Sequence, residues 1–125
     1  MKGSSSPKDI TTFTNPNQKE ASVFEGFIDF LSLMVINKNQ SPSAGNFVIL
    51  NSVSFFEKAR SIMEQHEVIR LYLDRDTTGQ NYSRYARSLS SKYKDESNLY
   101  KHYKDVNKFL VEFGKIQKKN VRRNL

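Results

Sequence analysis

The residues Leu71-Tyr72-Leu73-Asp74-Arg75-Asp76-Thr77-Thr78-Gly79 form an apolar run that ends in two carboxylates one residue apart. A buried strand that delivers two acidic side chains at its carboxyl end can hold a hard cation such as Mg²⁺ against a phosphate, because carboxylate oxygens are the ligands such ions take. Val23-Phe24-Glu25-Gly26-Phe27-Ile28-Asp29 has a related design: strand-like residues, a glutamate at a glycine turn, and an aspartate four residues on. Gly26 suits a turn in which the backbone changes direction with no Cβ in the way.

Those carboxylates need elements to position them. Ala21–Phe24 predicts a short buried strand and Phe27–Ile36 a helix that is apolar nearly all round. A polar loop from Asn37 to Asn46, with Pro42 and Gly45, ends that helix. Phe47–Leu50 predicts a second strand. Ser54 with Glu57 three residues later has the form of a capping box, so a helix is expected over Phe55–Gln65. Val68–Leu73 is the third strand. A helix follows from Thr78 to Lys92, with Tyr82, Tyr85, Ala86 and Leu89 recurring at helical spacing. Asp95–Tyr103 reads as ambiguous, with room for a short fourth strand. The last helix, Val106 to Lys118, carries Val106, Phe109, Leu110 and Phe113 on one face.

Strands alternating with helices at this spacing predict an α/β fold: a mostly parallel sheet of about four strands flanked by helices. In such sheets ligands bind at the edge formed by the carboxyl ends of the strands. If the first and third strands are neighbours, about 4.8 Å apart, Glu25 comes close to Asp74 and Asp76. Like charges that close are mutually destabilising, so a cation is the natural occupant. By organisation, residues 1–20 read as a flexible lead-in or the end of an upstream region, with an extended piece near Ile10–Phe13. Residues 21–118 read as the catalytic domain and 119–125 as a basic tail.

The chain has 125 residues, enough for one domain, and no cysteine, which excludes disulfides and cysteine-ligated zinc and predicts a cytoplasmic location. No apolar run approaches the roughly 20 residues that span a bilayer, so no membrane partner is expected. The net charge of +7 is unevenly spread. Residues 1–80 hold eight Lys/Arg and nine Asp/Glu, and residues 81–125 hold twelve and four. A basic surface beside a carboxylate cluster suits a polyanionic substrate, and Arg84, Arg87, Lys92, Lys94, Lys101 and Lys104 are, as a group, the candidates for phosphate contacts. Solvation of helices is the plain alternative for any one of them. His66 and His102 have no ligand-like partners in the sequence and are expected at the surface.

Glu25-Gly26 with Asp29, followed by the Asp74-x-Asp76 strand end and Gly79, resembles the Toprim domain shared by bacterial-type DNA primases, topoisomerases, a nuclease family and repair proteins. The resemblance covers roughly residues 21–113. Tyr103-Lys104-Asp105-Val106-Asn107-Lys108-Phe109-Leu110 is similar to the third acidic motif of the primase type. By resemblance, the fold is Toprim-like (Rossmann-like), and Asp74 and Asp76 coordinate Mg²⁺ or Mn²⁺. Glu25 is a metal ligand or general acid/base, and Asp29 and Asp105 complete the metal site. Asp29 also reads as a solvated helix residue, and Asp105 as a helix N-cap. The sequence departs from the primase pattern at Asn107, where a second acid is expected. An amide oxygen can ligate a cation but adds no charge, which puts a second metal in question.

The resemblance implies RNA primer synthesis on single-stranded DNA, a role in DNA replication, and an upstream zinc-binding and primase region in a longer parent chain. The abrupt opening Lys2-Gly3-Ser4-Ser5-Ser6-Pro7 agrees with a domain cut from such a chain. A metal-dependent nuclease and a non-catalytic nucleic-acid-binding scaffold are the alternatives. Asp74-x-Asp76-x-Thr78 also fits the opening motif of haloacid-dehalogenase-type phosphatases, in which the first aspartate is a nucleophile. Those proteins need a long downstream core, and only 49 residues follow Asp76 here.

Overall fold

The computed structural model describes residues 9–36 and 45–112. Five strands form one sheet: β1 (Thr11–Phe13), β2 (Glu20–Phe24), β3 (Asn46–Ile49), β4 (Val68–Tyr72) and β5 (Tyr93–Asp95), in the spatial order β1-β3-β2-β4-β5. Strands β2 to β5 run parallel, and β1 pairs antiparallel with β3. The sheet thus has one strand more than the expected four. The extra one, β1, lies in the stretch read as a lead-in and aligns Thr11 with Ile49.

Alternation along the strands builds two cores. Val23, Val48, Ile69 and Leu71 face one side and pack with Phe56, Ala59 and Met63 of helix α2 (Phe56–Met63) and Ala86 of helix α3 (Thr77–Leu89). Phe24 and Ile49 face the other side and pack with Leu33 of helix α1 (Phe27–Ile36), Tyr100 and Val106. Each Val, Leu, Ile, Phe or Met among them, fully buried, is worth about 1.5–3 kcal/mol. Phe24 is stacked on Tyr72 with ring centroids 5.1 Å apart, which locks the carboxyl ends of β2 and β4 together.

The structure corrects the sequence reading in two places. The Ser54–Glu57 capping box does not form: Ser54 lies in a 3-10 turn, Val53–Phe55, its hydroxyl 2.8 Å from Ser52 Oγ, and α2 begins only at Phe56. His66 is not at the surface but 5% exposed. Its Nε2 accepts from Asn46 Nδ2 (2.8 Å) and its Nδ1 donates to the Met63 carbonyl (3.0 Å), so it serves as a buried strut between β3 and α2.

A fourth helix, α4, begins at residue 106 and is described to 112, so Phe113 and the basic tail lie outside the described residues. So does most of the loop expected over residues 37–46. Among the described residues no helix is long and apolar enough to cross a membrane.

Candidate metal centre

Parallel pairing places Phe24 opposite Tyr72, so the residues leaving β2 and β4 emerge side by side at the carboxyl edge of the sheet. That adjacency is the one on which the carboxylate cluster depends. Glu25 and Gly26 turn the chain directly into α1, where Asp29 sits in the first turn and is buried, 7% exposed. Its carboxylate accepts the Gly26 backbone N–H, a contact that holds the acid toward the helix start. The Asn107 N–H, from the start of α4, donates to Asp29 Oδ1 at 3.2 Å.

Asp74 follows β4 and is held by its neighbours. Tyr100, fully buried, donates its hydroxyl to the Leu73 carbonyl at 2.6 Å, and the Arg75 N–H donates to the Lys104 carbonyl at 2.6 Å. These two bonds strap residues 100–104 across the end of β4 and deliver Asp105 to the same edge. Asp105 Oδ1 accepts the Lys108 N–H at 2.8 Å, so the residue is the N-cap of α4 as well as a member of the acidic cluster. Gly79, in the first turn of α3, lets that helix rest directly on Asp74: a Cβ there would lie 2.1 Å from the Asp74 carbonyl oxygen.

Asp29, Asp74 and Asp105 each offer an oxygen, and these atoms all lie within 4.8 Å of one another. Oxygens bound to one Mg²⁺ at about 2.1 Å can be at most about 4.2 Å apart, so small side-chain rotations close the site on an ion. The donor set is all hard oxygen, which fits Mg²⁺ or Mn²⁺ and leaves positions for water or phosphate. Asp76 is placed differently. It is exposed, and its Oδ1 is the N-cap of α3, accepting the Gly79 N–H at 2.8 Å.

Charge crowding is written into the proton affinities. Burial first, then a hydrogen bond to Asp74 and repulsion from Asp74, Asp76 and Asp29, pushes the Glu25 carboxyl up to about 9. Burial, and then the charge of Asp105, raises Asp29 to about 6, against the opposing hydrogen bonds from the Asn107 and Gly26 backbone. A divalent ion held there would relieve both groups at once.

Asn107 is turned away from the acids. Its Oδ1 lies 3.2 Å from Ser32 Oγ, which also donates to the Ile28 carbonyl at 2.8 Å, so its contribution to the cluster is the backbone N–H on Asp29. The six basic candidates do not form one patch. Arg84, Arg87 and Lys94 line neighbouring cavities along α3 and β5. Lys92 Nζ donates to the Glu64 carbonyl at the end of α2, and exposed Lys101 and Lys104 belong to the strap. Sequence reasoning missed Tyr100, whose hydroxyl anchors that strap, because nothing local distinguishes a strap tyrosine from a core one. It also missed Arg75, whose position between Asp74 and Asp76 was a usable signal.

Residues 22–110 match the Toprim-like family. No curated protein shows significant similarity to the chain. Among solved structures, the primase fragment of the bacteriophage T7 primase-helicase protein is similar with a TM-score of 0.52 and 25% identity, over 71% of this chain and 37% of that one. The chain therefore spans little more than a third of that fragment. With acidic strand ends on adjacent parallel strands, a sheet of this topology and a family match over most of its length, the chain belongs to the Toprim-like family, as a Toprim domain of the primase type.

Proposed function

We propose that this domain holds Mg²⁺ or Mn²⁺ on Asp29, Asp74 and Asp105 and supports nucleotidyl transfer in a primase-like protein, joining ribonucleotides on a single-stranded DNA template. The observation that carries this reading is the convergence of three carboxylates from three separate segments at the carboxyl edge of a Toprim sheet. The similarity to a T7 primase fragment supports primer synthesis as the reaction class. When bound, a divalent ion supplies positive charge against the phosphate and favours ionisation of an attacking hydroxyl.

The protein's own groups supply positioning and proton handling. Asp74 is fixed between the Tyr100–Leu73 and Arg75–Lys104 bonds, so the site is built on rigid backbone. Glu25, whose carboxyl is raised by burial and the acids around it, would become a base beside Asp74 once that charge is neutralised, and is the group that could take the proton of an attacking 3′-hydroxyl. Asp76, with one oxygen committed to the α3 cap, has a second oxygen that could help hold the ion.

One observation favours a second reading. Asn107 stands where the primase pattern has an acid and turns to Ser32, so it adds no charge to the triad of Asp29, Asp74 and Asp105, which favours a scaffold or a metal-dependent nuclease over two-metal transfer. The test is primer synthesis by the full-length parent with single-stranded template, Mg²⁺ and ribonucleotides, against the same protein carrying Asp74→Asn. Primers made by the parent and lost in the variant support the proposal. DNA cleavage without primers establishes the nuclease, and activity untouched by Asp74→Asn refutes catalysis at this centre.

A further inference from the structure

Among the described residues outside the acidic cluster, the strongest charged feature is a groove along the free edge of β5. Two adjoining cavities, of 580 and 230 Å³, share Arg87, Asp95 and Asn98 in their walls. The smaller begins at Arg75, the residue between Asp74 and Asp76, and passes Arg84; the larger continues past Arg87 to Lys94. Arg75 is oriented by bonds from one guanidinium nitrogen to the Ser97 carbonyl and Oγ, both 3.2 Å, while Arg87 and Lys94 are exposed and without an ion-pair partner among the described residues. Gln80, Arg84 and Arg87 stand at i, i+4 and i+7 on α3, one helix face that covers about 10 Å, the rise of about three stacked nucleotides in one strand.

We infer that this groove is the track along which a single nucleic-acid strand leaves the metal centre, held by its phosphates. The inference rests on the reading of the domain as one that acts on nucleic acid. Four cations against one carboxylate, Asp95, favour a polyanion. The cavities have the volume of a few nucleotides, which suits one strand and not a double helix. The one aromatic residue in their walls, Tyr93, is 2% exposed and gives its hydroxyl to Glu64, so no ring is free to stack on a base. Contact is therefore with the backbone, indifferent to sequence and sensitive to salt. Lys94 also guards an edge strand against pairing with another chain, and that role is compatible with a phosphate contact.

The test is fluorescence anisotropy of a labelled oligothymidylate with this chain across a salt series, with circular dichroism confirming that each variant is folded. About three phosphate contacts predict a log–log salt slope near −2, and Arg87→Gln with Lys94→Gln should flatten it by about 1.4. Lys19→Gln with Lys58→Gln removes the same charge from other faces and should leave the slope in place, and Asp95→Asn should tighten binding. An unchanged slope in the groove variant, or an equal loss in the control, overturns the track. Calorimetric Mn²⁺ titration of the same proteins separates the two levels: Mn²⁺ bound with no oligonucleotide bound removes the track and leaves the metal centre, and neither bound removes both.

Discussion

Gly79→Ala sets two local effects against each other. In an exposed helix alanine is the better residue by about 1 kcal/mol, and no positive φ stands in its way at this position. A Cβ at Gly79, however, would lie 2.1 Å from the Asp74 carbonyl oxygen and 2.9 Å from its carbonyl carbon. The obstacle is backbone, and that backbone is pinned on both sides by the Tyr100–Leu73 and Arg75–Lys104 bonds, so it cannot yield as a flexible side chain would. Forcing a methyl group into such a contact costs about 1–3 kcal/mol, and with rigid partners the upper end applies. The helix-propensity gain offsets part of it, leaving a net loss of about 2 kcal/mol and a fall in melting temperature of about 10 °C. Because the displaced atom belongs to Asp74, Mn²⁺ affinity should fall as well. Gly26→Ala is the control: its Cβ meets only Asp29 Oδ2, at an ordinary 3.5 Å, and should melt within a few degrees of the parent. Thermal denaturation followed by circular dichroism, with calorimetric Mn²⁺ titration, reads both effects. A Gly79→Ala protein that melts as the parent does and binds Mn²⁺ equally well would refute the direct seating of α3 on Asp74.

Three further outcomes follow from the same geometry. Glu25 is raised from 4.5 to about 9, so between those values the unfolded chain has lost a proton that the metal-free fold keeps. The metal-free protein should therefore lose stability as pH rises through that window, while Mn²⁺ affinity rises; Glu25→Gln should flatten both trends, and a pH-independent affinity in the parent would refute the coupling. Asn caps helices as well as Asp does, so Asp105→Asn and Asp76→Asn both preserve their caps, and the triad geometry predicts that Asp105→Asn weakens Mn²⁺ binding more, on the order of 10-fold; the reverse order in titration would place the ion between Asp74 and Asp76. Tyr100→Phe leaves the Leu73 carbonyl without its buried donor, which should cost about 1–3 kcal/mol in urea denaturation and loosen the strap that carries Asp105, and equal stability and Mn²⁺ affinity would show that the strap holds without it.

The sheet, its parallel βαβ build and the acidic strand ends were legible because each rests on local pattern. Val68–Leu73 is apolar but for Arg70 and opens on two β-branched residues, Thr77–Leu89 repeats its apolar residues at helical spacing, and glycine follows Glu25 where the chain must turn. Local pattern also misled. Ser54 and Glu57 have the spacing of a capping box, yet the 3-10 turn at Val53–Phe55 shifts the helix start past Ser54 and leaves its hydroxyl to Ser52. His66 carries no mark of burial in its neighbours; Asn46, twenty residues away, supplies the hydrogen bond that makes burial affordable.

What the sequence determined by itself is the set of elements and the chemical groups at their ends, since side-chain periodicity and turn chemistry act within a few residues. Tertiary structure alone decided which ends meet. The pairing of β2 with β4 sets Glu25 beside Asp74 across some fifty residues of chain, β1 joins the sheet from outside the expected core, and the strap from Tyr100 carries Asp105 to Asp29. Those contacts are non-local: each is selected by the closure of a long loop and the burial of two faces together, and neither leaves a period in the sequence to read.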